Sequence, residues 1–78
     1  MNEQVKQQLD LINEIDPKYK NKISLNESEA GRIIGVSASS MATYRKQGIG
    51  PEYKKFGGRY LYPKIAIAEF MLQTIKTV

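Results

Sequence analysis

Between Asn26 and Ser37 the chain starts a helix, stops it and starts another within one short stretch. Asn26 with Glu29 three residues later forms a capping box, with Asn in the Ser/Thr role. The helix it opens is expected to run to about Ile34, with Ala30, Ile33 and Ile34 on its apolar side. Gly35 ends it, because glycine alone takes the left-handed cap conformation without strain. Ser37 then caps a second helix, from about Ala38 to Gln47, with Met41 and Tyr44 turned inward. Two such helices cross steeply, and the small pair Ala30-Gly31 suits the point where their backbones approach.

The flanking segments follow the same logic. From about Glu3 to Ile15, Val5, Leu9 and Ile12 fall at helical spacing, with Leu11 and Ile15 beside them. Asp16-Pro17 ends that helix, and residues 17–22 form a basic connector. Beyond the Gly48-Ile49-Gly50-Pro51 loop, Tyr53-Lys54-Lys55-Phe56 and Arg59-Tyr60-Leu61-Tyr62 flank Gly57-Gly58, the pattern of a hairpin with a two-residue primed turn. Pro63 suits the first position of a last helix. That helix carries Ile67, Phe70 and Met71 on one stripe and Ile65, Leu72 and Ile75 on another. Something must cover the second stripe. The N-terminal helix folds back over it or pairs with a second copy, and fold-back is preferred because a small domain needs the burial.

Composition narrows the function. At 78 residues there is room for one domain, and 41% apolar residues are ordinary for a folded chain. No cysteine or histidine is present, so a disulfide, a zinc site and a Cys/His nucleophile pair are excluded. No stretch approaches the roughly 20 apolar residues of a membrane span, and the polar start has no signal-peptide core, so the cytoplasm is the default compartment. The carboxylates Glu27, Glu29, Glu52 and Glu69 form no motif, and an enzyme is not expected. The net charge of +4 is unevenly placed: residues 1–17 carry a net −3, and residues 43–64 a net +5. That asymmetry aims a basic face at a polyanion.

With Met41 inward, Ser37, Ala38, Ser39, Ser40, Ala42 and Thr43 form the second helix's outer side, and Arg45 and Lys46 stand at its end. Such a face fits the DNA major groove. Its hydroxyls meet phosphates or base edges, its methyl groups meet thymine, and Arg45 and Lys46 are expected to grip phosphate. No arginine or asparagine stands at its centre, so intrinsic specificity is expected to be modest. On the hairpin, Lys54, Lys55, Gly58 and Arg59 make a thin basic tip suited to the backbone or the minor groove. The tyrosines at 44, 53, 60 and 62 are expected to pack rather than to stack on bases. Each feature alone has an ordinary structural explanation, and their order is what carries weight.

That order resembles the excisionase-like and AlpA-like helix-turn-helix domains, relatives of the MerR-type winged domain. The likeness runs over residues 23–72, through Leu25 to Ser37, Tyr44 to Pro51, Gly57 to Tyr62 and Ala68-Glu69-Phe70. It implies a DNA-binding protein of a phage, plasmid or mobile element, acting as a transcription regulator or bending DNA for a recombinase. It also implies that Tyr62 packs in the wing and Phe70 in the core. Family members often carry an arginine ahead of that tyrosine, where this chain has Leu61, and basic residues in the second helix, where it has serines and alanines.

The expected fold class is mainly α with a small β-hairpin: a winged helix-turn-helix plus an extra N-terminal helix. One domain would comprise an accessory helix (1–17), the helix-turn-helix (23–47), the wing (53–62) and a last helix (63–76). The expected partner is double-stranded DNA, with a recombinase or integrase, or self-association on DNA, as a further possibility. No cofactor, metal or membrane is called for. The competing reading is a protein-interaction adaptor on the same fold, motivated by the weakly basic second helix and the acidic first. RNA binding has little support, since no aromatic-rich sheet motif is visible.

Overall fold

The computed structural model describes residues 2–73. Helix α1 spans Glu3–Ile15, and the Asn2 side chain caps it by accepting from the Val5 amide at 2.8 Å. A 3-10 turn, Pro17–Asn21, leads to a short strand β1, Ser24–Leu25. Helices α2, Glu27–Ile34, and α3, Ala38–Gln47, follow. Strands β2, Lys54–Phe56, and β3, Arg59–Pro63, form a hairpin, and α4, Lys64–Gln73, closes the described chain. The protein is mainly helical with a small three-stranded antiparallel sheet of order β1-β3-β2.

Local signals place most of these elements. The capping box at Asn26 is complete: Glu29 N–H donates to the Asn26 side chain, and the Asn26 amide donates back to Glu29. Gly35 caps α2 in the left-handed region at φ 100°. Gly57 and Gly58, at φ 59° and 86°, make the primed turn. Gly31 is needed for a different reason. A Cβ there would stand 2.7 Å from the Val36 carbonyl oxygen and 2.9 Å from Met41 Cγ. The crossing of α2 and α3 is closed too tightly for any side chain at that position.

Four features depart from the sequence expectations. Pro63 does not open the last helix; it ends β3 opposite Ser24, and α4 begins at Lys64. Proline has no N–H to give, so the Lys64 amide makes the next bond, to the Ile23 carbonyl, at 2.8 Å. The basic connector is structured: its Tyr19 is 1% exposed and belongs to the core. Phe70 is only half-buried and stands outside the core cluster, whose centre holds Ile67 and Ala68 instead. Tyr44, expected inward, is also half-buried, whereas Tyr62 is buried. Ile75 and the end of the expected last helix lie outside the described residues.

The core joins Val5 and Ile12 of α1 to Tyr19, Leu25, Ala30, Met41, Tyr62, Ile67 and Ala68. Helix α1 packs along α4, which on its other sides meets β3 and α2. This is why Ala66, Ile67 and Ala68 are buried in succession: α4 is flanked, not merely seated on one surface. Helix α1 does fold back onto α4, with Leu9 and Leu72 half-buried against the core, but Ile65 of the second stripe stays exposed, as do Leu11 and Ile15.

Two substitutions test the packing. Gly31→Ala should lower stability by about 1–3 kcal/mol through overpacking, whereas Gly50→Ala, whose Cβ would meet Tyr44 Cβ at an ordinary 3.6 Å, should change it little. Ile12→Ala should cost about 2–5 kcal/mol, a large share of a small domain's stability. Urea denaturation followed by circular dichroism reads all three.

Candidate functional site

Helix α3 presents its polar side to solvent. Ser37, Ala38, Ser39, Thr43 and Lys46 are exposed, and Ser40 and Ala42 are half-buried. Ser39, Thr43 and Lys46 stand one turn apart on one stripe. Several of the hydroxyls already have partners. Ser37 Oγ accepts from the Ser40 amide at 3.1 Å as the helix cap, donates to Ser40 Oγ at 3.1 Å and shares a bond with Ser39 Oγ. Thr43 Oγ1 donates to the Ser39 carbonyl at 3.1 Å. The stripe is thus a fixed, small-residue surface with one cation, Lys46, at its end.

The hairpin stands beside the C-terminal end of α3. Lys54, Lys55, Gly58 and Arg59 are all exposed. Among the described residues, Lys46, Lys54, Lys55 and Arg59 make no ion pair. Lys55 Nζ lies 5.6 Å from the Tyr60 ring centroid, on the sheet face that carries Tyr60.

Arg45 sits differently from the sequence expectation of a phosphate grip. Its side chain is only 11% exposed. Nε donates to Glu27 Oε2, and the guanidinium lies 3.6 Å from the Tyr60 ring centroid. The same Glu27 oxygen accepts from the Tyr62 hydroxyl at 2.8 Å. One carboxylate at the start of α2 thereby holds the end of α3 and the middle of β3. Tyr53 completes the cluster, edge-on to Tyr60 at 5.7 Å and tilted on Tyr62 at 5.9 Å. Arg45 positions the hairpin against α3 and is not a free contact.

Lys64, counted on the basic side, is also committed. Its ammonium donates to Asn13 Oδ1 and to the Tyr19 carbonyl, both at 2.7 Å, tying α4 to α1 and the 3-10 turn. Burial pushes this amine below its ordinary value. Of the six cations in residues 43–64, four remain free of such engagement: Lys46, Lys54, Lys55 and Arg59.

The electrostatics of the Glu27 cluster follow from burial and pairing. Burial acts to raise the Glu27 pKa, but bonds from Arg45 and Tyr62, with the Arg45 charge, outweigh it and hold the carboxyl below the usual range. Burial and the Glu27 bond push the Tyr62 phenol well above its ordinary value, so it stays a donor throughout the physiological range. Glu27, Tyr60 and Tyr62 were missed as a unit because no local pattern links positions 27, 45 and 62.

Comparison with family models, curated proteins and solved structures returned no match, so the functional reading rests on this geometry and on the sequence. No helix among the described residues is long and apolar enough to cross a membrane.

The carboxylate predicts a pH response. A folded pKa below the ordinary 4.5 means that Glu27's contribution is complete above that value and is lost as pH falls below it. Glu27→Gln should cost about 1 kcal/mol at neutral pH, the difference between charged and neutral acceptors. It should also reduce the loss of stability between neutral and acid pH. Some acid dependence remains, because Asp16, through the Lys18 amide, shifts the same way. Urea midpoints measured across the acid range check both outcomes.

Proposed function

We propose that this chain binds double-stranded DNA as a winged helix-turn-helix, with α3 as the recognition helix and the β2–β3 hairpin as the wing. The observation that carries this reading is the sorting of the cations. Arg45 and Lys64 are spent on internal bonds, while Lys46, Lys54, Lys55 and Arg59, at the end of α3 and along the hairpin, make no ion pair among the described residues. The free cations suit phosphates on either side of a groove entered by α3.

The outer stripe of α3 fits close approach to the duplex. Ala38, Ser39 and Thr43 are small, so the helix backbone can come near the base edges. Their hydroxyl and methyl groups meet base edges and thymine methyls without a bidentate arginine, which keeps specificity modest. The Glu27–Arg45–Tyr60 contact fixes the wing relative to the recognition helix before DNA arrives. Preorganisation of this kind reduces the ordering cost of binding.

The resemblance to excisionase-like and AlpA-like domains extends the proposal to a biological setting. The chain would serve a phage, plasmid or other mobile element, as a recombination-directionality factor or as a transcription regulator. The first role adds a recombinase as partner, and self-association on DNA would strengthen a modest solo affinity.

The test is the salt dependence of binding to a labelled duplex, read by fluorescence anisotropy. Lys46→Ala, Lys54→Ala and Arg59→Ala should each flatten the slope of log affinity against log salt by about 1, the release of one counterion per lost phosphate contact. Slopes unchanged in all three variants would replace this reading with the protein-interaction adaptor.

A further inference from the structure

Phe56 is an aromatic ring that the fold leaves in water. It is 76% exposed, and it ends β2 immediately before the Gly57-Gly58 turn. The other aromatics of the hairpin have partners: Tyr53, Tyr60 and Tyr62 pack on one another, and Arg45 covers Tyr60. Phe56 belongs to the opposite sheet face. The register pairs Lys54 with Leu61 and Phe56 with Arg59, which places these four side chains on one face and Lys55 and Tyr60 on the other.

The surroundings of the ring define what it can meet. Among the described residues, Lys54 and Arg59 share its face without ion pairs, and residues 53–63 contain no carboxylate. The two glycines beyond it add no side chain, so the tip is as narrow as a β-ribbon can be. A flat apolar ring at a narrow tip, with a cation on each side, complements a stack of bases between two phosphate strands. The contact of Arg45 with Tyr60, on the opposite face, holds the hairpin against α3.

We propose that Phe56 is an intercalating wedge. In the DNA complex its ring enters the minor groove and unstacks one base step, while Lys54 and Arg59 hold the flanking phosphates. Apolar wedges of this type kink the duplex, and flexible pyrimidine–purine steps yield most easily. The wing then bends DNA as well as gripping it. This inference rests on the DNA-binding reading, and its failure is separable from the failure of that reading.

The chain has no tryptophan, so Phe56→Trp installs a single reporter at the wedge. Its emission should be strongly quenched when an unlabelled mixed-sequence duplex is added at low salt, with a midpoint matching the anisotropy titration of the labelled duplex. Phe56→Ala should fold as the parent does and bind about tenfold more weakly, the scale of one lost base–aromatic stack. Unchanged tryptophan emission in the presence of measurable binding overturns the wedge and leaves the DNA reading standing. So does parental affinity in Phe56→Ala. Absence of anisotropy change for the parent protein overturns both.

Discussion

A single carboxylate oxygen, Oε2 of Glu27, joins α2, α3 and the hairpin. It accepts from Arg45 at the end of α3 and from Tyr62 in the middle of β3. Removing the acceptor would leave a guanidinium and a phenol, both largely buried, without their charge-assisted bonds. The placement of the hairpin against α2 and α3 depends on this meeting point, while the α2–α3 crossing itself is closed at Gly31. The aromatic cluster of Tyr53, Tyr60 and Tyr62 then closes around it.

The other half is held by burial. With no cysteine to form a disulfide, the chain must make its core from few residues. It does so by flanking α4: α1 lies along one side, and β3 and α2 meet it elsewhere. Val5 and Ile12 carry the α1 side, and Lys64 fastens the joint through Asn13 and the Tyr19 carbonyl. The acidic first helix is therefore structural in part, whatever else its exposed Leu11 and Ile15 meet.

The local elements were legible in the sequence because their signals are local. Asn26, Gly35, Ser37 and the Gly57-Gly58 pair each fix a backbone conformation within a turn of themselves, and α2, α3 and the hairpin appear where those residues place them. The two-residue strand β1 was not legible, since Ser24 and Leu25 become a strand only through pairing with Pro63 and Tyr62. The burial of Tyr19 was hidden inside a lysine-rich connector. At the site, Ser37, Ala38, Ser39, Thr43 and the hairpin cations are exposed as the helical and strand periods put them, whereas Ser40 and Ala42, expected outward with them, are half-buried. Arg45 is not exposed either, because its inward turn is decided by Glu27, eighteen positions away in the chain.

The strand order has a consequence for solubility. With β3 in the middle, β2 is an open edge of the sheet, and all three of its residues are exposed. Open edges invite pairing with another chain, and lysines on the edge are a standard deterrent. Lys54 and Lys55 occupy two of the three edge positions. They make strand-to-strand addition of a second copy electrostatically unfavourable, and they do so most effectively while no polyanion is present to neutralise them. The short edge is thus guarded in the free protein by the same charges that a polyanionic partner would engage.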